Sequence, residues 1–506
     1  MNPRHPSLLP RPARLTLLPA LLLTILLLPG CTVGPDDPGP PAAFAADRYL
    51  ADAPDPEADA SDQTVGPEAL TRWWQQYRSP ALTTLVERAL AQNLDLEAAA
   101  ARVRRSRALL RAAGAELLPR VAGSADATRS RRSETLDGLA PAAGVGVGSP
   151  GFDLGPATTD FFAVGVDASW ELDFFGGRRR YLQQQTANFR QTQAQAVATR
   201  LGVVAEVADA YFSRLYAARL LEIAEANVDS LTDSAALTRQ RFDAGLVGEL
   251  DAAQADAQLD EARAEIPAAA AQVALQAHRL AVLLGQAPAD LEALLTLTAD
   301  AQTQPVLPRI AAVGLPSDLL RRRPDVIAAE QRLAAAWAGV GVQTAEYFPK
   351  INLLASVGFQ SGRVDQWFDS DSRVWSLGGV IDWRLLDFGR IDAAVDAAEA
   401  QTAEAAADYK AAVIGAVREV DDALTRLAAS SRQVQARQRS LESRNHSLEL
   451  AQRQYDAGLQ EFLPVLDEQR RRNRARTALA VSQRDRLLAT VRVFRVLGGG
   501  WDPPAP

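Results

Sequence analysis

Phe242-Asp243-Ala244-Gly245-Leu246 recurs at an offset of 213 as Tyr455-Asp456-Ala457-Gly458-Leu459, and each pentapeptide closes a stretch free of proline. No proline stands between Pro156 and Pro267 or between Pro349 and Pro464, so residues 178–243 and 390–455 can each run as one unbroken helix. Sixty-six residues at about 1.5 Å each make a rod of roughly 100 Å, a length few globular domains require. Both stretches are rich in Ala, Gln, Glu and Arg. Their small apolar faces, Val203, Val207, Ala210 and Leu215 in one and Val413, Val417, Val420 and Leu424 in the other, suit close coiled-coil packing. Gly245 and Gly458 can end the helices in the left-handed conformation. The chain then returns as residues 249–285 and, after a Pro-containing linker at 287–316, as residues 317–346, so the way back is as long as the way out.

Further matches extend the repeat outward. Trp170, Leu172, Phe175 and Gly176 match Trp383, Leu385, Phe388 and Gly389, again at an offset of 213. Upstream, Asn93-Leu94-Asp95-Leu96 and Leu118-Pro119-Arg120 match Arg323-Pro324-Asp325-Val326 and Phe348-Pro349-Lys350 at an offset of 230. The offsets differ by 17, and the extra length of the first copy falls on the Gly/Pro/Ala-rich stretch around Gly138 to Pro156, which reads as a long loop. Its Gly144-Val145-Gly146-Val147-Gly148 follows no buried strand and precedes no Lys-Ser/Thr, so it does not read as a nucleotide loop. The expected organisation is a leader at 1–30, an N-terminal segment at 31–80, a first repeat at 81–286, the linker at 287–316, a second repeat at 317–497 and a tail at 498–506.

In each repeat a helical segment (81–116, 317–346) runs into Pro119 or Pro349, after which the apolar period changes from 3.6 to 2. Val121, Gly123, Ala125 and Ala127 alternate with mostly polar neighbours, as do Ile351, Leu353, Ala355, Val357 and Phe359. Returning strands come next, Phe162 to Phe174 and Val374 to Leu385. Hairpins of this length, with one apolar face and aromatic ends, suit the wall of a transmembrane β-barrel. Four strands cannot close such a barrel, since the smallest have about eight, and an open edge in lipid leaves backbone groups unsatisfied. The expected fold is therefore mixed α and β, with barrel strands continuous with long helices and several chains combining. Spacing alone does not say whether two, three or four do so.

Arg4, Arg11 and Arg14 precede an apolar run from Leu15 to Leu28, which closes on Leu28-Pro29-Gly30-Cys31. This order is that of an export signal ending in a lipobox-like motif, in which Pro29 is an unusual occupant, and the run is too short for a membrane-spanning helix. Cys31, the one cysteine in 506 residues, stands where a lipoprotein signal needs its thiol. It would carry a diacylglycerol thioether and, after cleavage, an N-acyl chain. An ordinary secretory signal is the plainer alternative. Thr32 is not the Asp that marks retention at the inner membrane. Loss of the leader's arginines takes the formal net charge from −8 to −11, an acidity that argues against nucleic acid as a partner. No intrachain disulfide is possible, and no later segment is apolar enough for a membrane helix.

Leu315-Pro316-Ser317-Asp318-Leu319-Leu320-Arg321-Arg322-Arg323-Pro324-Asp325 resembles the signature of the outer-membrane efflux lipoproteins of the TolC/OprM/NodT family. Tyr347-Phe348-Pro349-Lys350-Ile351, Trp73-Trp74 ahead of Asn93, and Tyr455 to Leu459 followed by Val465-Leu466-Asp467-Glu468-Gln469-Arg470 add to the resemblance, which spans about residues 70 to 500. It implies a homotrimer anchored in outer-membrane lipid and extending into the periplasm, with a twelve-stranded β-barrel joined to a periplasmic α-helical barrel. It also implies two partners, a periplasmic adaptor (membrane fusion protein) and an inner-membrane RND-type pump, in a system that exports small molecules. By the same resemblance Gly245, Leu246, Gly458 and Leu459 are adaptor-docking tips. Asp251, Tyr455, Leu463 and Asp467 form the periplasmic gate, of apolar and carboxylate rings. Gln460 replaces the arginine, and Pro464 a second aspartate, of one branch's salt-bridged gate. Arg321 to Arg323 read as structural, capping or pairing around the helical tunnel.

His5, His278 and His446 are the only histidines, so neither a metal cluster nor a catalytic triad is expected, and Asp387-Phe388-Gly389 lacks every companion of a kinase element. The expected protein has no enzymatic activity and no cofactor beyond the lipid on Cys31. Protein export of the type I kind and a non-conducting periplasmic structural protein are the alternatives.

Overall fold

The computed structural model describes residues 32–39, 70–131, 158–287, 305–308 and 322–501. The leader, Cys31, the stretch from Gly138 to Pro156, most of the 287–316 linker and Leu315 to Arg321 lie outside the described residues. The chain divides into two units. One comprises Met1–Asp37, Ala108–Thr186 and Ala334–Thr402, and the other Pro38–Arg107, Ala187–Leu333 and Ala403–Pro506.

Helices α1 (Pro80–Gln92) and α2 (Leu94–Ala115) lead to strands β1 (Arg120–Arg131) and β2 (Thr158–Leu172). Then come α3 (Gly177–Asp243) and α4 (Glu249–Leu283). The order resumes with α5 (Pro324–Thr344), β3 (Lys350–Ser361), β4 (Arg373–Asp382), α6 (Arg390–Asp456) and α7 (Leu463–Val496). Helices α3 and α6 have 67 residues each, as the proline-free runs allow. Helix α4 continues through Pro267. Among the described residues no helix is long and apolar enough to cross a membrane.

The helical segment expected over 81–116 is divided in two, because the chain breaks at Asn93. Asn93 N–H ends α1 on Ala89 O, and its side-chain oxygen accepts from the N–H groups of Asp95 and Leu96, both at 3.0 Å, to begin α2. Its Nδ2 donates to Leu283 O at 2.8 Å, which holds the break against the end of α4. The two returning strands also end earlier than expected. β2 stops at Leu172 rather than Phe174, and β4 at Asp382 rather than Leu385.

In the strand unit the four strands form one antiparallel sheet in the order β1-β2-β3-β4, with Arg120 opposite Ser169, Trp170 opposite Leu353 and Ile351 opposite Ile381. The central pair β2-β3 joins the two sequence halves, and β1 and β4 are left as edges among the described residues. Each hairpin is tied at its base by one indole. Trp170 Nε1 donates to Leu117 O and Trp383 Nε1 to Tyr347 O, both at 3.0 Å, two residues before Pro119 and Pro349 respectively.

In the helix unit the main core gathers Trp73, Trp74 and Tyr77 with the Val203–Phe212 stretch of α3 and the ends of α4 and α7. Trp73 stacks on Phe494 with ring centres 5.3 Å apart, and the Tyr77 ring lies 4.9 Å from Phe212. Tyr77 shares a 2.5 Å hydrogen bond with the Thr490 hydroxyl, which satisfies the polar end of a buried aromatic.

Candidate functional site at the two Gly-Leu turns

Both pentapeptides form the same turn. At the end of α3, Gly245 N–H donates to Phe242 O at 2.8 Å and Leu246 N–H to Arg241 O at 2.9 Å. At the end of α6, Gly458 N–H donates to Tyr455 O and Leu459 N–H to Gln454 O, both at 2.9 Å. Each glycine has φ +71, the left-handed cap that satisfies the last carbonyls of a helix. A Cβ on either glycine would meet nothing within 4 Å, so backbone conformation, not space, calls for glycine here. The turns present their leucines to solvent, with Leu246 73% and Leu459 78% exposed. Leu250 beyond the first turn and Leu463 beyond the second are also exposed.

Behind the turns, a second buried cluster binds the ends of four helices. It comprises Leu231 and Ala235 of α3, Ala255, Leu259 and Ala262 of α4, Leu448, Ala451 and Tyr455 of α6, and Phe462 with Val465 and Leu466 at the start of α7. Polar bonds cross it. Gln469 Nε2 donates to Ser234 Oγ at 3.3 Å, and Asn473 hydrogen-bonds to Asn227.

The residues expected at the gate divide. Tyr455 is buried against Phe462, with ring centres 5.0 Å apart, and the Arg241 guanidinium lies 4.2 Å over its ring. Burial pushes the Tyr455 phenol above its ordinary range, against the opposing pull of Arg241. Asp251 is turned to a local task, accepting from Gly248 N–H at 3.2 Å to cap α4. Asp467 pairs with Arg470 one turn along α7. Leu463 opens α7 with Pro464 in its first turn, and Gln460 donates to Ala451 O at 3.3 Å. Sequence reasoning missed Arg241. Its counterpart in the second copy is Gln454, so the repeat comparison gave it no match, and only its place in the last turn of α3 was visible.

At the other expected site, Cys31 lies outside the described residues, but the segment after it is held tightly. Val33 N–H donates to Phe175 O at 3.0 Å. Arg180 reaches Val33 O and Gly34 O, both at 3.2 Å, and Asp36 at 2.8 Å. Gly176, at φ +78, leaves room for Thr32, whose side chain would stand 2.6 Å from any added Cβ. Among the described residues no group of His, Cys, Asp and Glu is placed to hold a metal ion.

Rods, turns and a four-stranded sheet in this order match known proteins along almost the whole chain. The family model described as "outer membrane efflux protein" matches residues 85–286 and 315–499. The chain belongs to the outer membrane efflux protein family. It is 32% identical over 481 residues to the solvent efflux pump outer membrane protein SrpC of Pseudomonas putida, covering 95% of this chain and 97% of that one. The pyoverdine export outer membrane protein OpmQ of P. putida is 33% identical over 437 residues, covering 86% and 89%. Among solved structures, the outer-membrane channel OprN superposes with a TM-score of 0.82 at 33% identity, covering 93% of this chain and all of that one. Membership places this efflux-family chain in the outer membrane.

Proposed function

We propose that this family member is the outer-membrane conduit of a tripartite efflux pump, working as a trimer. Three four-stranded sheets would close a twelve-stranded barrel in the outer membrane. The long helices would continue it as an α-helical barrel into the periplasm, each chain contributing two internal repeats divided as 81–286 and 317–497. The observation that carries this reading is the open sheet. Its β1 and β4 edges lack partners among the described residues, and a sheet in lipid tolerates no free edge. The chain would act without catalysis, taking its energy from an inner-membrane RND-type pump through a periplasmic adaptor.

In this reading Gly245-Leu246 and Gly458-Leu459 receive the adaptor, since exposed leucines on two identical turns offer paired apolar footholds. Asp251, Tyr455, Leu463 and Asp467 line the periplasmic gate, which adaptor binding loosens by separating the four helix ends. Cys31 carries the diacylglycerol and N-acyl chains, and residues 32–39 fasten that anchor to the strand unit. The cargo is small molecules. Relatives named for a solvent pump and for pyoverdine export align with most of this chain, so substrate choice is assigned to the pump.

Conductance in planar bilayers tests the reading. The purified chain is expected to insert as trimers with a small closed-state conductance, and Leu463→Ala combined with Asp467→Ala to raise it. A chain that is monomeric in detergent and never conducts would overturn the channel, and an unchanged closed-state conductance would overturn the gate assignment.

A further inference from the structure

The helices that flank the sheet run in the same order as the strands. α2 meets α3, with Arg107 5.5 Å over the Phe189 ring and Thr192 bonded to Ser106. Gly341 of α5 gives room to Arg180 of α3. α5 meets α6 through Arg332, which pairs with Asp408 at 2.6 Å and Glu404 at 3.1 Å. The order α2-α3-α5-α6 thus repeats β1-β2-β3-β4, and the outermost of the four among the described residues are those next to the two edge strands, α2 before β1 and α6 after β4.

These two helices carry opposite charge. α2 holds Arg102, Arg104, Arg105, Arg107 and Arg111, its only acids being Asp95 and Glu97 in the first turn. The start of α6 holds Asp392, Asp396, Glu399, Glu404 and Asp408 against Arg390. Arg104, Arg105 and Arg111 on one side and Asp396 and Glu399 on the other are exposed and form no salt bridge among the described residues. Exposed apolar side chains accompany them, Leu109 on α2 and Ile414 on α6. Such surfaces are complementary to each other and not to themselves, so they join head to tail.

We propose that copies of this chain meet along an ionic seam, the α2 arginines of one copy facing Asp396 and Glu399 at the start of α6 in the next. The inference rests on the multi-chain barrel proposed above and names the surface that closes it. Contacts within the chain supply the register. Arg107, thirteen residues before β1, touches Phe189, seventeen after β2, and Arg332, eighteen before β3, touches Glu404, twenty-two after β4. By the same rule Arg111, nine residues before β1, meets the stretch beginning about thirteen after β4, where Asp396 and Glu399 stand fourteen and seventeen residues on.

The test compares assembly of the full chain in detergent by light scattering at low and high salt. Arg104→Glu, Arg105→Glu and Arg111→Glu together are expected to lower the assembled fraction at least tenfold. Adding Asp396→Arg and Glu399→Arg is expected to restore it. Because the reversed chain can fail to fold, a second variant pairs Arg111→Cys with Asp396→Cys. It should give disulfide-linked ladders on oxidation, while each single variant and the parent, with Cys31 alone, give none. Assembly that survives charge reversal, or the absence of a cross-link in the paired variant, would overturn the seam while leaving the channel intact. A parent chain that never assembles would overturn the channel reading itself.

Discussion

Replacing Arg323 by Met would remove a buried knot from the helix unit. The Arg323 side chain is 8% exposed. Its Nε and Nη2 donate to the two oxygens of Asp325 at 3.0 and 2.6 Å, and Nη2 also reaches Glu419 at 2.7 Å. Nη1 lies 3.3 Å from Val496 O and 3.4 Å from Ala416 O, so one guanidinium ties the start of α5, the middle of α6 and the end of α7. Breaking a fully buried ion pair costs about 3–5 kcal/mol. Asp325 and Glu419 are 49% and 45% exposed, so water replaces much of their lost partner. Solvent screening brings the expected cost to about 2–3 kcal/mol, and Met retains part of the stem's packing.

Burial works against ionisation of Asp325, but the hydrogen bonds and charge of Arg323 outweigh it and hold the carboxyl below its usual range. A depressed carboxyl stabilises the fold above its unfolded value of about 4, and that stability is lost as pH falls through the folded value. Thermal unfolding of the detergent-purified protein, followed by tryptophan fluorescence, should show R323M melting a few degrees below the parent at neutral pH. The gap should narrow in acid, and Arg323→Lys, which keeps the charge but not the fork, should fall between the two. Equal melting at neutral pH, or a gap that persists unchanged in acid, would refute the reasoning.

Gly245→Ala and Gly458→Ala should each cost about 1 kcal/mol through the left-handed backbone alone, since no atom crowds the new methyl. Limited proteolysis is the check, with faster cutting at the turn and slightly lowered global melting expected. Tyr77→Phe should destabilise by about 1 kcal/mol, because Thr490 keeps its bond to Leu487 O and loses only the phenol. In the parent, burial pushes the Tyr77 phenol above its ordinary range. The stability of its neutral form is therefore intact below about pH 10 and lost as pH rises beyond, which ultraviolet titration of tyrosinate would follow. Asn93→Ala should cost about 1–2 kcal/mol and raise amide exchange in the first turn of α2, because that turn loses its cap and α1 its tie to Leu283.

The long helices and their turns were legible in the amino-acid order because they obey local rules. A proline-free run of good helix formers has few other conformations open to it, and a glycine just beyond its end takes the left-handed cap at little cost. The strands were legible for the same reason, through a period that changes at Pro119 and Pro349. Asn93 was misjudged although its signal was present, an asparagine ahead of Asp95 and Glu97. Helical periodicity runs on across the cap and hides it.

Tertiary structure alone decided which elements lie side by side. The amino-acid order does not set β2 beside β3, bring Arg241 of the first repeat over Tyr455 of the second, or carry Glu419 and Val496 to Arg323. Periodicity specifies that a face is apolar but not which other face covers it. That choice depends on the simultaneous packing of several helices, where each side chain gains only from neighbours distant in the chain.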